Sequence, residues 1–235
     1  MLKRSGDTLA WAEWEARVLS AVRTDRVRVP QPRRAIDGAY VVDGWMARDF
    51  VAGSHHRRRW PEIIEAGDAV HAALAAIPDS VARPPTGARD DPWSIADRVA
   101  WDEQPVPPVM ALGDPSLIGL LDARRPVAAR RQLVHGDLTG NVLFAEGMPP
   151  AVIDFSPYWR PAAYAIGVVV ADAVVWEGAD LTLVDYVAGR SEMGQCLVRA
   201  LIFRHVTALL LAGRLPAGDA AQRYASLAEA AIRLP

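Results

Sequence analysis

The sequence predicts an α+β protein with a small N-terminal part that contains short strands and a larger C-terminal part that is mainly helical. Turn dipeptides and extended runs concentrate between positions 32 and 50. Apolar segments with helical periodicity dominate after position 160. A third group of short apolar runs, at 133–155, lies inside the helical part. We predict a boundary near Gly53, with residues 1–53 forming a partial N-terminal lobe and residues 54–235 forming the helical lobe.

Composition narrows the class of function. With 235 residues, 51% of them apolar, the chain can bury the core of one large or two small domains. A net charge of -2 gives no bulk attraction to nucleic acid or to a membrane. The longest uncharged run, 161–171, is shorter than the ~20 residues that cross a bilayer. The single Cys196 cannot form an internal disulfide, and the first residues lack the apolar segment of a signal peptide, so we expect a cytoplasmic protein.

The first elements are a strand end at 2–4, capping residues at 5–8 and a helix at 8–22. At 100° per residue, one apolar face of this helix collects Trp11, Trp14, Val18 and Val22. Glu15 falls on that face, whereas Glu13 points away from it. A carboxylate that faces a core requires a cation, and Lys3 is the nearest candidate in sequence. The alternative is that Glu15 lies at the edge of the stripe, in water.

Residues 32–50 are predicted to be β structure. Asp37–Gly38 separates two extended runs and predicts a hairpin turn, and Asp43–Gly44 predicts a second turn or a bulge. The run Arg57–Arg59 that follows is short and has one aromatic neighbour, Trp60, so a solvated loop is the preferred interpretation and nucleic-acid binding is not expected.

Helices are predicted over most of the remaining chain. Their ranges are 61–77, 91–101, 117–123, 162–176, 181–188, 194–214 and 217–233. His71, in the first of these, is interpreted as a buried, hydrogen-bonded histidine, because no second His or Cys lies at metal-binding spacing. Residues 78–92, 104–115 and 156–161 are predicted to be irregular.

The stretch 133–155 contains two short apolar strands joined by turn residues at 145–150. Asp137, Asn141 and Asp154 lie at the ends of these strands. An unpaired buried carboxylate is strongly disfavoured in a core, so this placement indicates a functional site. Phosphoryl transfer needs a carboxylate base, oxygen ligands for Mg²⁺ and a lysine for the phosphates. Asp137 can serve as the base, Asn141 and Asp154 as the metal ligands, and Lys3 as the phosphate clamp. Lys3 is the only lysine among 26 basic residues.

These motifs resemble the aminoglycoside phosphotransferase and choline kinase-like family of the protein-kinase-like fold. Residues 135–143 resemble the family's catalytic loop, and residues 153–155 resemble its metal-binding segment. Residues 2–3 resemble the end of the strand that carries the lysine, and residues 46–53 resemble the hinge. Residues 69–74 resemble the first helix of the large lobe. A subgroup of actinobacterial proteins in this family is the nearer resemblance. The resemblance implies ATP and Mg²⁺ as cofactors, transfer of the γ-phosphate to a hydroxyl of a small molecule, and a pairing of Lys3 with Glu15 that orients the phosphates. Adenine would contact the backbone at 47–49.

The sequence departs from the family pattern at three places. Three residues separate Asp137 from Asn141 where the family usually has four, and Tyr164 stands about where the family has an Asp, for which Asp172 is a possible substitute. The glycine-containing strand pair that precedes the lysine in the family is absent, which makes the N-terminal lobe a truncated one. We expect a start codon that was set too late, because Lys3 is retained. The alternative is a catalytically impaired nucleotide-binding or scaffold protein without the lid.

The acceptor is not identified by these motifs. Five acids lie within 172–192, against one basic residue, and they favour a cationic acceptor such as an amino sugar or an amino alcohol: Asp172, Glu177, Asp180, Asp185 and Glu192. A solvated acidic surface is the commoner origin of such a run. The oligomeric state stays open.

Overall fold

The structure is a computed structural model that describes residues 1–4, 8–85, 89–107, 115–214 and 217–234. It contains two compact units, Met1–Thr86 with Arg131–Ala162, and Gly87–Arg130 with Ala163–Pro235. The strands of the described residues all belong to the first unit, and the second unit is helical. The predicted α+β class is therefore confirmed, whereas the lobe boundary at Gly53 stays a prediction. Residues 5–7 of the predicted cap, and parts of the irregular segments 78–92 and 104–115, lie outside the described residues.

The first sheet is built around its strand β4. Its members are β1 (Leu2–Arg4), β2 (Pro32–Arg33), β3 (Val41–Val42) and β4 (Trp45–Arg48). β1 pairs with one edge of β4 in antiparallel register, which brings Lys3 opposite Met46. β2 and β3 also pair with β4, both antiparallel. β4 thereby fixes the position of Lys3 in the first unit.

Helix α1 (Leu9–Ala21) packs against β2 and β3 of this sheet, and residues of the apolar face predicted from its periodicity are buried. Thr8 is its N-cap, and Trp14 and Val18 are buried. Glu13 does not point away as expected. Its Oε1 accepts hydrogen bonds from the backbone N–H groups of Tyr40, at 3.1 Å, and Val41, at 3.3 Å, and so joins the helix to β3.

The hairpin of this sheet forms at a different turn from the one predicted. Asp37–Gly38 does make a turn, closed by a hydrogen bond from Ala35 N to Ala39 O at 2.8 Å, but β2 and β3 on its two sides pair with β4 and not with each other. The two-residue hairpin connects β3 to β4 through Asp43 and Gly44, with φ values of 50° and 77°. A positive φ at both central residues gives the turn whose twist matches that of paired strands.

The two strands predicted within 133–155 are present and antiparallel. They are β7 (Val142–Phe144) and β8 (Ala151–Val152), and β5 (Ser54–His55) pairs with the other edge of β7. A separate pair joins β6 (Gln132–His135) to β9 (Pro157–Arg160). The prediction of an irregular segment at 156–161 was wrong. β9 is short and starts at a proline, and its partner lies more than twenty residues earlier, so local pattern does not reveal it.

The first unit also contains α2 (Trp60–Ala75) and α3 (Asp79–Ala82). Helices of the second unit are α4 (Pro92–Ala100), α5 (Pro115–Asp122), α6 (Ala162–Val175), α7 (Thr182–Val187), α8 (Met193–Ala212) and α9 (Asp219–Arg233). α8 packs against α4, α5 and α9. An 18-residue window of this helix has a mean hydropathy of 1.5, sufficient for a membrane span by length and composition, but 61% of that window is buried in the fold, which is typical of a core helix.

Candidate active site

The catalytic loop predicted from sequence follows β6 as a tight turn. The Gly136 N–H donates to Ser156 O at 2.9 Å, and the Asn141 N–H donates to Leu138 O at 2.9 Å. Gly140 has a φ of +83°, a conformation that glycine adopts without steric cost. Three intervening residues are therefore enough to return the chain from Asp137 to Asn141.

This tight turn brings the Asn141 side chain onto Asp137. Its Nδ2 donates to the backbone oxygen of Asp137 at 2.7 Å and lies 3.3 Å from Asp137 Oδ2. These bonds use the amide nitrogen and leave the amide oxygen as the atom that a cation could bind. The shortened loop thus joins two of the predicted site residues.

Asp154 lies two positions after the end of β8, next to the predicted catalytic loop. The N–H of the preceding Ile153 donates to Asn141 O at 2.9 Å. Asp154 has a φ of 46°, in the left-handed region that is uncommon for residues other than glycine. Backbone outliers of this kind cluster at functional sites, where the surrounding structure holds them in place.

Lys3 and Glu15 do not pair with each other, so the predicted ion pair was wrong. Lys3 Nζ lies 2.6 Å from Asp154 Oδ1, and both side chains are about half exposed. Glu15 Oε1 lies 2.6 Å from Arg48 Nη2, and these side chains are 14% and 6% exposed. The buried guanidinium requires a counter-charge far more than the exposed ammonium does, so the inward-facing carboxylate belongs to Arg48.

The role of Arg48 as the partner of Glu15 was not predicted from the sequence. Two positions after the buried Met46 in β4, Arg48 lies on the same face of the sheet, and that alternation could have indicated an inward-facing cation. Its backbone N–H and C=O both bond to Met1, at 2.9 and 2.8 Å. These two groups are therefore already occupied within the stretch where an adenine contact was expected.

The ring of His135 connects the two loops. Its Nε2 lies 2.9 Å from Ile153 O, and its Nδ1 lies 3.2 Å from the Asp137 N–H. Burial lowers the pKa of His135 below its ordinary value. A second buried histidine, His71, contacts the backbone of His135, which confirms the prediction that it is buried and hydrogen-bonded. The predicted catalytic and metal-binding segments are thus joined through a neutral imidazole.

The donor atoms fit Mg²⁺ held by few protein ligands. The residues that the structure describes contain no group of three or more His, Cys, Asp or Glu side chains able to hold a metal. One carboxylate, from Asp154, and one amide oxygen, from Asn141, on adjacent loops suit an ion that keeps several waters and binds substrate phosphates. The roles of these two residues stay predictions.

The acidic run in the second unit is largely engaged in internal contacts. Asp172 is bonded to Arg204 through both carboxylate oxygens. Glu192 accepts from the backbone N–H groups of Ala128 and Ala129, and Asp180 accepts from Thr182. These acids therefore have structural roles, which weakens the argument for a cationic acceptor.

Comparisons with known proteins found a family model and solved structures that are similar to this chain. The sequence model of the phosphotransferase enzyme family matches residues 1–181. Spectinomycin phosphotransferase APH(9)-Ia, solved with ADP and spectinomycin, is similar with a TM-score of 0.59 and 14% identity over 98% of this chain and 85% of that one. Aminoglycoside phosphotransferase APH(4)-Ia, solved with ADP and hygromycin B, has a TM-score of 0.56 and 16% identity over 94% and 82%.

A kinase of a small amino alcohol is similar as well. The microcompartment-associated aminopropanol kinase has a TM-score of 0.53 and 20% identity over 98% of this chain and 82% of that one. No curated protein matches the sequence. At these identities the solved structures establish the fold, which is that of the kinase-like phosphotransferases.

Proposed function

Because this chain belongs to the phosphotransferase enzyme family, we propose that it transfers the γ-phosphate of ATP to a hydroxyl of a small molecule. The observation that carries the proposal is the junction of the two loops. Asn141 bonds to Asp137 through its side chain and to Ile153 through its backbone, so the proposed base and metal ligands form one hydrogen-bonded group. Phosphoryl transfer depends mainly on such positioning and on charge.

In this mechanism Asp137 accepts the proton of the acceptor hydroxyl. The hydroxyl oxygen forms a bond to the γ-phosphorus while the bond from phosphorus to the β–γ bridging oxygen breaks, and ADP leaves with that oxygen. Mg²⁺, held by Asp154 and the amide oxygen of Asn141, would neutralise charge on the phosphate oxygens. The Asn141 amide holds the Asp137 carboxylate in place at 3.3 Å.

Lys3 is proposed to bind the non-transferred phosphates, which requires it to leave Asp154. An ion pair between half-exposed side chains contributes only about 0–1 kcal/mol. A nucleotide phosphate that carries more than one negative charge can therefore replace the carboxylate at little cost. Asp154 is released toward the metal by the same exchange.

The Lys3–Asp154 contact also favours a second candidate, a protein that binds nucleotide without transferring phosphate. If this contact persists with nucleotide present, the metal ligand stays occupied. The two functions differ in metal dependence, because the catalytic one requires Mg²⁺ for tight nucleotide binding. Thermal stability with ADP, alone and with Mg²⁺, separates them for the wild type and Asp154→Ala.

The decisive test is an assay of ADP release with amino sugars, amino alcohols and neutral sugars as acceptors, with the phosphorylated product identified by mass spectrometry. We expect transfer by the wild type and a loss of about 10²–10⁴-fold in kcat for Asp137→Asn. Asp25→Asn neutralises an exposed carboxylate of the same unit and is the matched control, with kcat unchanged. Equal activity of Asp137→Asn and the wild type would refute the assignment of the base.

A further inference from the structure

His71 lies on the buried face of α2 and is 2% exposed. Its Nε2 is 3.1 Å from the backbone N–H of His135, the last residue of β6. Its backbone oxygen accepts a hydrogen bond from the Gln132 side chain, at 2.9 Å, at the start of the same strand. α2 therefore holds β6 at both ends, and the contact at the His135 end is made by an imidazole.

The direction of these hydrogen bonds fixes the form of both rings. A backbone N–H can only donate, so His71 Nε2 accepts and carries no proton. Its Nδ1 then carries the proton, and this atom is buried and has no hydrogen-bond partner among the residues described. Burial, with His135 as a lesser cause, lowers the pKa of His71 to about 3, in agreement with a neutral ring.

His135 is constrained in the same way. Its Nε2 must donate to the Ile153 carbonyl, which leaves Nδ1 to accept from the N–H groups of Asp137, at 3.2 Å, and Ser156, at 3.4 Å. One neutral form satisfies all three contacts. The position of the His135 ring therefore sets the backbone beside Asp137 and beside Asp154 together.

We propose that His71 is a positioning residue of the phosphotransfer site. It holds the backbone of His135 by a single buried hydrogen bond, and through the His135 ring it aligns Asp137 with Asp154. His71 does not touch the reacting atoms itself. The inference rests on the proposed function, because alignment of base and metal ligand has a kinetic effect only if phosphate is transferred.

Burial on the face of α2 does not by itself call for a histidine at position 71. A leucine or methionine would fill a buried site on the face of α2 without a buried ring N–H of its own, but it would leave the His135 N–H without its acceptor. The orphan Nδ1–H is disfavoured by burial, and the acceptor at Nε2 is what the ring provides in return. Few other side chains can present an acceptor at that distance from the helix, and the amide oxygen of glutamine is one of them.

The test compares His71→Leu, which removes the acceptor, with His71→Gln, which restores one. We expect kcat to fall about 10–100-fold in His71→Leu, as for other residues that orient a site from behind, and to stay within about threefold of the wild type in His71→Gln. KM for ATP and for the acceptor should change less than kcat, because the substrates keep their direct contacts.

His205→Leu is the matched control. His205 is equally buried, at 2% exposed, and its Nδ1 contacts the Tyr224 hydroxyl at 3.1 Å in the second unit. This variant should lose thermal stability, as His71→Leu does, and keep kcat per folded molecule. A fall in kcat of the same size in both variants would show that His71 acts only as a core residue and would overturn the inference.

Amide hydrogen exchange measured on the ligand-free proteins is the readout besides activity. We expect faster exchange at the His135 and Asp137 amides in His71→Leu. If the leucine variant does not fold, His71→Asn takes its place, since the asparagine side chain is too short for its oxygen to accept from the His135 N–H. Unchanged exchange at both amides, or an unchanged kcat in folded His71→Leu, contradicts the inference. A wild type that transfers no phosphate to any acceptor instead refutes the proposed function, and the inference falls with it.

Discussion

Gly136 lies between His135 and Asp137, at a position where the backbone does not have the positive φ that favours glycine. Its φ is outside the left-handed region, so backbone conformation does not require the residue. The requirement is steric. A Cβ at this position would lie 2.4 Å from Cδ2 and 2.6 Å from Cε2 of Tyr158, a buried side chain of β9. We predict that Gly136→Ala damages the site through this overlap.

The magnitude follows from the distances. Ordinary contact begins at 3.4 Å, so the methyl group would overlap the ring by about 1 Å at two atoms. Tyr158 pairs with Val134 across the β6–β9 ladder and cannot swing away freely. Overpacking of a well-packed region destabilises by about 1–3 kcal/mol, or about 2–4 °C in Tm for each kcal/mol in a chain of this size. The catalytic loop must shift as well, so kcat should fall.

Urea unfolding and kcat are measured for Gly136→Ala, Tyr158→Ala and the double variant. Removal of the ring makes room for the methyl group. The double variant should therefore lose less unfolding free energy than the sum of the losses in the two single variants. Gly119→Ala is the control, since Gly119 lies in α5 with nothing within 4 Å of its added Cβ, and it should stabilise by up to about 1 kcal/mol. An equal cost of Gly136→Ala with and without the Tyr158 ring would refute the steric argument.

Two further predictions concern buried charge. Arg48→Met leaves the largely buried Glu15 without its cation and should destabilise by about 3 kcal/mol in urea unfolding. The double variant with Glu15→Gln should recover most of that loss, and a single variant within about 1 kcal/mol of the wild type would contradict this prediction. Burial lowers the pKa of His71 from its ordinary 6.5 to about 3, so the unfolded chain binds more protons than the folded one between these values. Stability should therefore fall below pH 6.5, by at most about 1.4 kcal/mol for each pH unit, and a wild-type slope equal to that of His71→Gln would contradict the assignment.

The sequence predicted those parts of the fold whose evidence is local. The periodicity of α1 and the paired runs of β7 and β8 were recognised because each pattern lies within a short segment. The β9 strand was missed because its pairing with β6 is not local. The hairpin was assigned to Asp37–Gly38 because both turns carry an Asp-Gly pair, and only the register on β4 distinguishes them.

In the candidate site, too, residues that lie close together in sequence were predicted, whereas contacts between distant segments were not. Asp137, Asn141 and Asp154 follow one another within 18 residues, so their residue types and spacing were enough to select them. The contacts of Arg48 and His71 were missed, because each depends on which face of a sheet or helix meets a distant segment. Burial decides those contacts, and burial is a property of the packed chain.

The sequence by itself determined which candidate groups are present and in what order: one lysine, the proposed base and the two proposed metal ligands, in a chain of the phosphotransferase enzyme family. Only the tertiary structure decided which charge meets which. Lys3 bonds to Asp154 across 151 positions, and Arg48 takes Glu15. The physical reason is the difference in solvation, because the buried guanidinium of Arg48 binds the largely buried carboxylate of Glu15, whereas Lys3 and Asp154 pair where both side chains are about half exposed.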